Sequence, residues 1–176
     1  MNFETIHSEI VYHGRAFDVR RDQVRLPDDN SARLDIVDHP PSVTLLPIDD
    51  KGFIWFVRQY RYPVQQYLLE LPAGVVEAGE APESCAHREI REEIGMAAEN
   101  LEKIGEFFLA PGYSTEFMYV YKATGLHPAP LQRDADEFLT VERFHPEQVM
   151  QLVAESKIRD CKSLAALFLS PQDLSP

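Results

Sequence analysis

The segment from Gly74 to Met96 constrains the chain more than any other. Its middle, Pro82 to Ile94, reads as a helix, because proline fits the first turn and Gly95 fits the C-terminal cap. On a helix, residues three and four apart share a face. Glu89, Glu92 and Glu93 therefore project on one side, while Ala86, Ile90, Ile94 and Ala97 project on another and can pack on a sheet. Like charges at that spacing oppose the helix by about 0.2–0.5 kcal/mol per pair. They also sit near its C-terminal end, where the dipole disfavours anions. The ordinary reading is a solvated face paired by Arg88 and Arg91, since charge runs on helices are usually surface. That reading leaves the preceding Pro72-Ala73-Gly74 turn and Glu80 unexplained. Hard divalent cations, by contrast, need several carboxylate oxygens converging from a rigid element.

Composition narrows the function. Lys and Arg number 17 against 29 Asp and Glu, a net charge of −12. This argues against a nucleic-acid or anionic-membrane surface, where phosphates are neutralised by clustered cations. If the substrate is a phosphate, something other than the protein's own charge must attract it, and a divalent metal is the obvious candidate. Cys85 and Cys161 are too few for a disulfide scaffold and suit a reducing cytoplasm. The first residues lack a basic start followed by an apolar run, so no signal peptide is expected, and no stretch approaches the ~20 apolar residues of a membrane span.

The first forty residues read as short strands at Ile10 to Tyr12, Phe17 to Leu26 and Ala32 to Asp38. Pro27-Asp28-Asp29-Asn30 turns between the last two, and Pro40-Pro41 marks a boundary. Val43 to Ile48 and Phe53 to Gln59 have the texture of buried strands. Further strands are expected at Leu68 to Leu71, Glu102 to Leu109, Glu116 to Ala123 and Phe138 to Phe144. Pro146 to Ser156 and Lys162 to Leu169 read as closing helices, with Val149, Leu152 and Val153 on one apolar stripe. Strands interleaved with helices favour an α/β layer architecture. Two units are expected: residues 1–41, a small β unit, and residues 42–176.

Gly74, five residues, Glu80, seven residues, Arg88-Glu89-Ile90, one residue, Glu92-Glu93, one residue and Gly95 resemble the Nudix box of Nudix hydrolases. All seven fixed letters match, and at about 7% per residue type the chance over this chain is of order one in a million. Met96 stands where the family usually has Ile, Leu or Val, an apolar swap that should be tolerated. The resemblance implies an α+β fold: a Nudix α/β/α sandwich with a mixed β-sheet, preceded here by a small antiparallel β unit. It implies magnesium or manganese bound by Glu89 and Glu93, supported by Glu92 directly or through water, with the backbone carbonyl of Ala73 as a further ligand. Arg88 and Glu80 would form an ion pair bracing the loop on the helix, and Gly74 and Gly95 would be positions where a Cβ does not fit. Family members cleave a nucleoside diphosphate linked to another group by water attack on phosphorus, a reaction that needs charge neutralisation and in-line placement.

Flanking segments resemble the ADP-ribose and nucleoside-diphosphate-sugar pyrophosphatase group. Upstream, Val57-Arg58-Gln59-Tyr60-Arg61-Tyr62-Pro63 and Leu69-Glu70-Leu71-Pro72-Ala73-Gly74 carry it. Arg61 would reach a substrate phosphate or brace a site carboxylate, and Glu70 would buttress the loop. Downstream, Ala110-Pro111-Gly112-Tyr113-Ser114 places Pro111 16 residues past Gly95, with Pro111, Gly112 and Ser114 near the substrate. The acidic loop Arg133-Asp134-Ala135-Asp136-Glu137 would supply the carboxylate that orients or deprotonates the attacking water, Glu137 first and Asp136 in reserve. Gly14-Arg15-Ala16-Phe17-Asp18-Val19 resembles the start of an arm that swaps across a homodimer, in which Phe17 would stack on the base of a nucleotide bound by the partner chain. The function implied is hydrolysis of ADP-ribose or a related nucleoside diphosphate sugar to a nucleoside monophosphate and a sugar phosphate. GDP-mannose or a broader nucleoside-diphosphate-sugar range is the near alternative, and a non-catalytic nucleotide sensor the distant one. An RNA-decapping role is disfavoured by the net charge of −12.

The loop assignment gives a first prediction. Glu137→Gln should lower kcat by roughly 10²–10⁴, the usual range for a general base, with KM and metal affinity little changed. Steady-state kinetics at several Mg2+ concentrations test it, because added metal should partly rescue a ligand mutant but not this one. If neither Glu137→Gln nor Asp136→Asn costs tenfold in kcat, the base lies elsewhere.

Overall fold

The computed structural model describes residues 2–132 and 138–174, which form two compact units. The first consists of Met1–Pro41 and Phe108–Phe117. Strands β1 (Glu4–His13), β2 (Asp18–Arg25) and β3 (Ser31–Asp38) form an antiparallel sheet in that order. The predicted turn at Pro27 to Asn30 closes the β2–β3 hairpin, with Asp29 in the left-handed region (φ 65°) and Asp28 accepting from the Asn30 N–H. β1 is much longer than the Ile10–Tyr12 core expected from the sequence, and every one of its ten residues is exposed. Its alternation is too weak to mark a buried face, so only its pairing with β2 fixes it as a strand. The downstream segment 108–117 is stitched to β3, where the Val37 N–H donates to the Tyr113 carbonyl (2.8 Å) and the Thr115 N–H to the Val37 carbonyl (3.0 Å).

The second unit holds two sheets. One has the order β7 (Ala73–Val75), β4 (Ser42–Pro47), β9 (Phe117–Pro128), β8 (Met96–Phe108). It is mixed, since β4 runs parallel to β9 and antiparallel to β7. The other is antiparallel, with β5 (Ile54–Arg61) between β10 (Leu139–Phe144) and β6 (Gln66–Glu70). Strand alternation sorts the core into two sides. Val43 and Leu45 of β4, Val57 of β5 and Tyr121 and Ala123 of β9 pack with Cys85, Ala86 and Ile90 of α1 (Pro82–Glu93) and with Ile94 at its C-cap. Leu46, Ile54, Phe56, Met118 and Val120 face the other way, packing with Val149 of α2 (Pro146–Ala154) and Ala166 and Leu167 of α3 (Cys161–Leu169). A mixed sheet layer between helices is the expected α/β/α sandwich.

Two boundaries differ from expectation for one reason. α1 ends at Glu93, and Gly95 at φ +72° turns the chain out of the helix. Ala97 therefore sits at the start of β8 rather than on the apolar face of the helix. Met96 to Leu101 carries no β-branched residue and does not read as strand, yet it lies beside β9, so tertiary pairing overrides local preference. β7 was hidden because three residues give no periodicity. No described helix is long and apolar enough to cross a membrane.

Candidate functional site

The site begins with the parity of a strand pair. Thr44 faces Ala73, and Val43 faces Gly74, in the antiparallel β4–β7 ladder. One step further the Leu45 N–H donates to the Pro72 carbonyl (2.8 Å). Antiparallel pairs alternate between hydrogen-bonded and non-bonded positions. The Leu45/Pro72 and Val43/Gly74 pairs are thus the bonded ones, and Ala73 directs both its backbone groups away from β4. Its N–H is taken by Glu93 Oε2 at 3.0 Å. Its carbonyl faces the same side.

Helix α1 brings the carboxylates to this strand. Glu89 and Glu93 are 6% and 3% exposed, which a merely solvated face would not produce. An added Cβ at Gly74 would fall inside the Glu89 carboxylate. Gly74 is therefore required by close approach, not by φ, and the strand and the carboxylate share a space that any side chain would fill. Arg88 holds the charges together. Its Nε and Nη2 fork onto Glu80 (3.1 and 2.9 Å), and its Nη1 donates to Glu89 Oε1 (2.5 Å) and Glu92 Oε2 (3.0 Å). Nη2 also reaches the Val75 carbonyl (3.1 Å), and Glu80 Oε2 accepts from the Glu77 N–H (3.0 Å). The guanidinium lowers the Glu80 carboxyl below its usual range, and Glu80 in turn raises Arg88. The Arg88–Glu80 pair thus ties the 75–80 loop to the helix. Cys85 is fully buried beneath it, and burial raises its thiol, so it is a packing residue.

Among the described residues, no three His, Cys, Asp or Glu side chains are gathered into one ready-made metal cage. The carboxylates are held instead by Arg88 and the Ala73 N–H. The donor set still fits a hard cation: two buried carboxylates, a third half-buried, and a carbonyl turned out of its ladder, around a glycine cradle.

A second charged group lies just upstream on the same strand run. Glu70 is 1% exposed and receives a fork from Arg61, Nε to Oε1 at 2.8 Å and Nη2 to Oε2 at 2.7 Å. Arg61 thus holds the Glu70 carboxylate through both of its oxygens. Lys162 of α3 also donates to Glu70 and lies 2.9 Å from Asp160. Burial alone would raise the Glu70 carboxyl, but Arg61 and Lys162 outweigh it and bring it down to about 2. Lys162, Asp160 and Ser163 were not singled out from the sequence. The available signal was the helix start, Asp160 with Ser163 three residues on, where Asp160 accepts from the Ser163 N–H (3.0 Å).

The remaining expected residues belong to the first unit or fall outside description. Phe17 is half-exposed and, with Arg15 and His39, lines a cleft of about 370 Å3. Pro111 and Gly112 lie in an exposed turn closed by the Tyr113 N–H onto the Ala110 carbonyl (3.1 Å). The Ser114 hydroxyl accepts from the Glu116 N–H (3.2 Å), and Thr115 Oγ1 accepts from the His39 N–H (2.9 Å). The Ser114 hydroxyl thus serves the segment after the turn, and the Thr115 hydroxyl ties it to the end of β3. Asp136 and Glu137 lie outside the described residues.

Known proteins resemble this chain in sequence and in fold. The model of the NUDIX domain matches residues 38–166. The ADP-ribose pyrophosphatase of Bacillus subtilis (strain 168) is 36% identical over 93% of this chain and 90% of that protein. The methanol dehydrogenase activator of Bacillus methanolicus is 34% identical over 93% of this chain and 90% of that protein. A crystal structure of an ADP compounds hydrolase superposes with a TM-score of 0.87, covering 98% of this chain and 94% of that one at 24% identity, a likeness of fold.

The Glu70 carboxyl carries a prediction about acid stability. Its folded-state value of about 2 lies below its ordinary 4.5, so the stabilisation is complete above about 4.5 and is lost as pH falls from there towards 2. The linkage amounts to roughly 3 kcal/mol. Urea unfolding from pH 6 to pH 2.5 should show Glu70→Gln less stable at neutral pH and with a flatter acid limb than the unaltered protein. Parallel acid limbs would show that Glu70 is not the group responsible.

Proposed function

The chain belongs to the Nudix family, and from that premise we propose that it hydrolyses the pyrophosphate bond of ADP-ribose or a related nucleoside diphosphate sugar to a nucleoside monophosphate and a sugar phosphate. The observation that carries the hydrolase reading is the Glu89 carboxylate seated against Gly74, with Glu93 on the adjoining Ala73 N–H. The observation that favours the substrate is the 36% identity to an ADP-ribose pyrophosphatase over nearly the whole chain. GDP-mannose remains the alternative substrate.

Glu89, Glu93 and the Ala73 carbonyl would hold magnesium or manganese, with Glu92 beside them. When bound, such a cation neutralises pyrophosphate oxygens and lowers the pKa of a water. The chain's own residues do the rest. Glu80 and Arg88 hold the loop on the helix so that Ala73 and the carboxylates keep one geometry. Glu70 and Arg61 fix the strand leading into Ala73. Glu137, with Asp136 in reserve, would take the proton from the attacking water. From the resemblance, Phe17, Pro111, Gly112 and Ser114 would contact the substrate, while Arg61 and Glu70 would act through the strand they brace.

We also propose a homodimer in which residues 1–41 take part. β1 exposes Ile6, Ile10, Val11 and Tyr12 along an unpaired sheet edge, a surface suited to a second copy of this chain. Cys85 and Cys161 are both free thiols, which supports a cytoplasmic setting.

Three measurements test these readings. A substrate panel read by chromatography of the nucleoside monophosphate formed should rank ADP-ribose at least tenfold above GDP-mannose and dinucleoside polyphosphates in kcat/KM; the reverse order moves the assignment to the alternative. Glu93→Gln should lose roughly 10²–10³ in turnover, ~3–4 kcal/mol of transition-state stabilisation, while keeping its fold by circular dichroism. Near wild-type turnover at saturating Mg2+ would sink the ligand role. Deleting residues 1–41 should give monomers or aggregates with weakened substrate binding; a monodisperse, fully active monomer by light scattering and kinetics refutes the dimer.

A further inference from the structure

The first turn of α3 grips the strand that presents Ala73. Ser163 is fully buried, and its Oγ accepts the Leu71 N–H at 2.7 Å while donating to Asp160 Oδ2 at 2.5 Å. Lys162, also buried, donates to Glu70 and pairs with Asp160. Two consecutive residues of one helix therefore hold two consecutive residues of another segment, one through its side chain and one through its backbone. The next two residues are fixed as well. The Pro72 carbonyl accepts from the Leu45 N–H (2.8 Å) and Thr44 Oγ1 (3.2 Å), and the Ala73 N–H donates to Glu93 (3.0 Å).

From this chain of contacts we propose that Ser163 and Lys162 are positioning residues that set the metal affinity of the site through Leu71 and Glu70. The proposal rests on the reading that the Ala73 carbonyl and Glu93 are metal ligands. The physical reason is parity. Pairing with β4 decides which way the Ala73 carbonyl turns, but it does so over only three residue pairs, from Ser42/Val75 to Thr44/Ala73. Upstream of it the Pro72 carbonyl is held by Leu45 and Thr44, and the next hydrogen-bonded anchor is on α3. The Ser163 bond to the Leu71 N–H extends that restraint one residue before the proline, which itself has no N–H to give. Lys162 anchors the same point from the Glu70 side. Its charge also offsets Asp160, so that the helix cap and the strand carboxylate share one buried cation. A network of this kind orients a ligand it does not touch, and outer-shell partners of metal ligands typically change affinity by 10–100-fold.

The test is Mn2+ binding to the full-length, substrate-free protein, read by the EPR signal of free Mn2+. Ser163→Ala and Lys162→Met should each weaken Mn2+ binding about tenfold. Their kcat should recover towards the unaltered value as Mn2+ is raised, because the ligands themselves remain. Val149→Ala, which opens a cavity in the buried cluster that also holds Leu71 but removes no hydrogen bond of this network, should lower Tm and leave Mn2+ affinity unchanged. Lys162→Met provides a second measurement should the buried Ser163→Ala variant fail to fold. Unchanged Mn2+ affinity in the folded variants overturns the proposal, as does an equal loss in Val149→Ala, which would make the effect general loosening. Glu93→Gln separates this from the reading beneath it. If Glu93→Gln loses Mn2+ while the α3 variants keep it, positioning alone is wrong; if Glu93→Gln binds Mn2+ normally, the ligand assignment falls and the proposal with it.

Discussion

The Arg88 guanidinium is the constraint on which the rest of the site depends. Glu89, Glu92 and Glu93 lie within five consecutive residues, and two of them are almost wholly buried. Buried anions are tolerated only when paired and hydrogen-bonded, and removing a partner from such a group costs several kcal/mol. Arg88 meets Glu80, Glu89, Glu92 and the Val75 carbonyl from one planar group. A lysine could not do this, because its ammonium is a point charge without the rigid fork that reaches partners on two sides. The loop, the helix and the strand edge are therefore held by one side chain, and the fold around them can remain an ordinary layered sandwich.

Strand parity supplies the other half of the arrangement. The alternation that sends Val43 and Leu45 towards α1 and Leu46 towards α3 also determines how β7 meets β4. A shift of one residue in that register would turn Ala73 into a bonded position and bury its carbonyl in the ladder. Core packing and site geometry are thus two consequences of the same register. A change in β4 packing would reach the site through the backbone, not through a side chain in the cleft.

What could be read from the sequence follows the range of the forces involved. α1 was legible to within a residue because its signals are local: proline at the start, glycine just past the cap and a 3.6-residue apolar stripe of Ala86, Ile90 and Ile94. Glu80 and Arg88 were legible as a pair through a resemblance in spacing. β8 before Glu102, and β7, were not, since each is a strand only by virtue of a neighbour far away in sequence. The cluster of Asp160, Lys162 and Ser163 on Glu70 and Leu71 spans about ninety residues, and nothing local marks it beyond a helix cap. Glu70 was singled out, but its almost complete burial against two cations was not foreseeable from an exposure-prone residue type.

The spacing from Gly74 to Glu89 can be understood as a contact rather than as a pattern. Gly74 has no need of glycine's backbone freedom, because its φ is not left-handed. It is glycine because the Glu89 carboxylate occupies the place of its side chain. For that to happen the chain must leave the strand at Val75, turn through Gly79 at φ +83°, begin α1 at Pro82 and complete two helical turns to bring residue 89 back over residue 74. Glu80 lies on the way, placed to accept Arg88 one turn before the helix delivers its carboxylates. Lengthening the loop by one residue would carry Glu80 past Arg88. Shifting the helix by one residue would rotate Glu89 about 100° away from Gly74. The fixed intervals are therefore the geometric condition for seating a buried carboxylate on a strand, and the acidic balance of the chain, −12 overall, makes a cation the natural complement of the seat so formed.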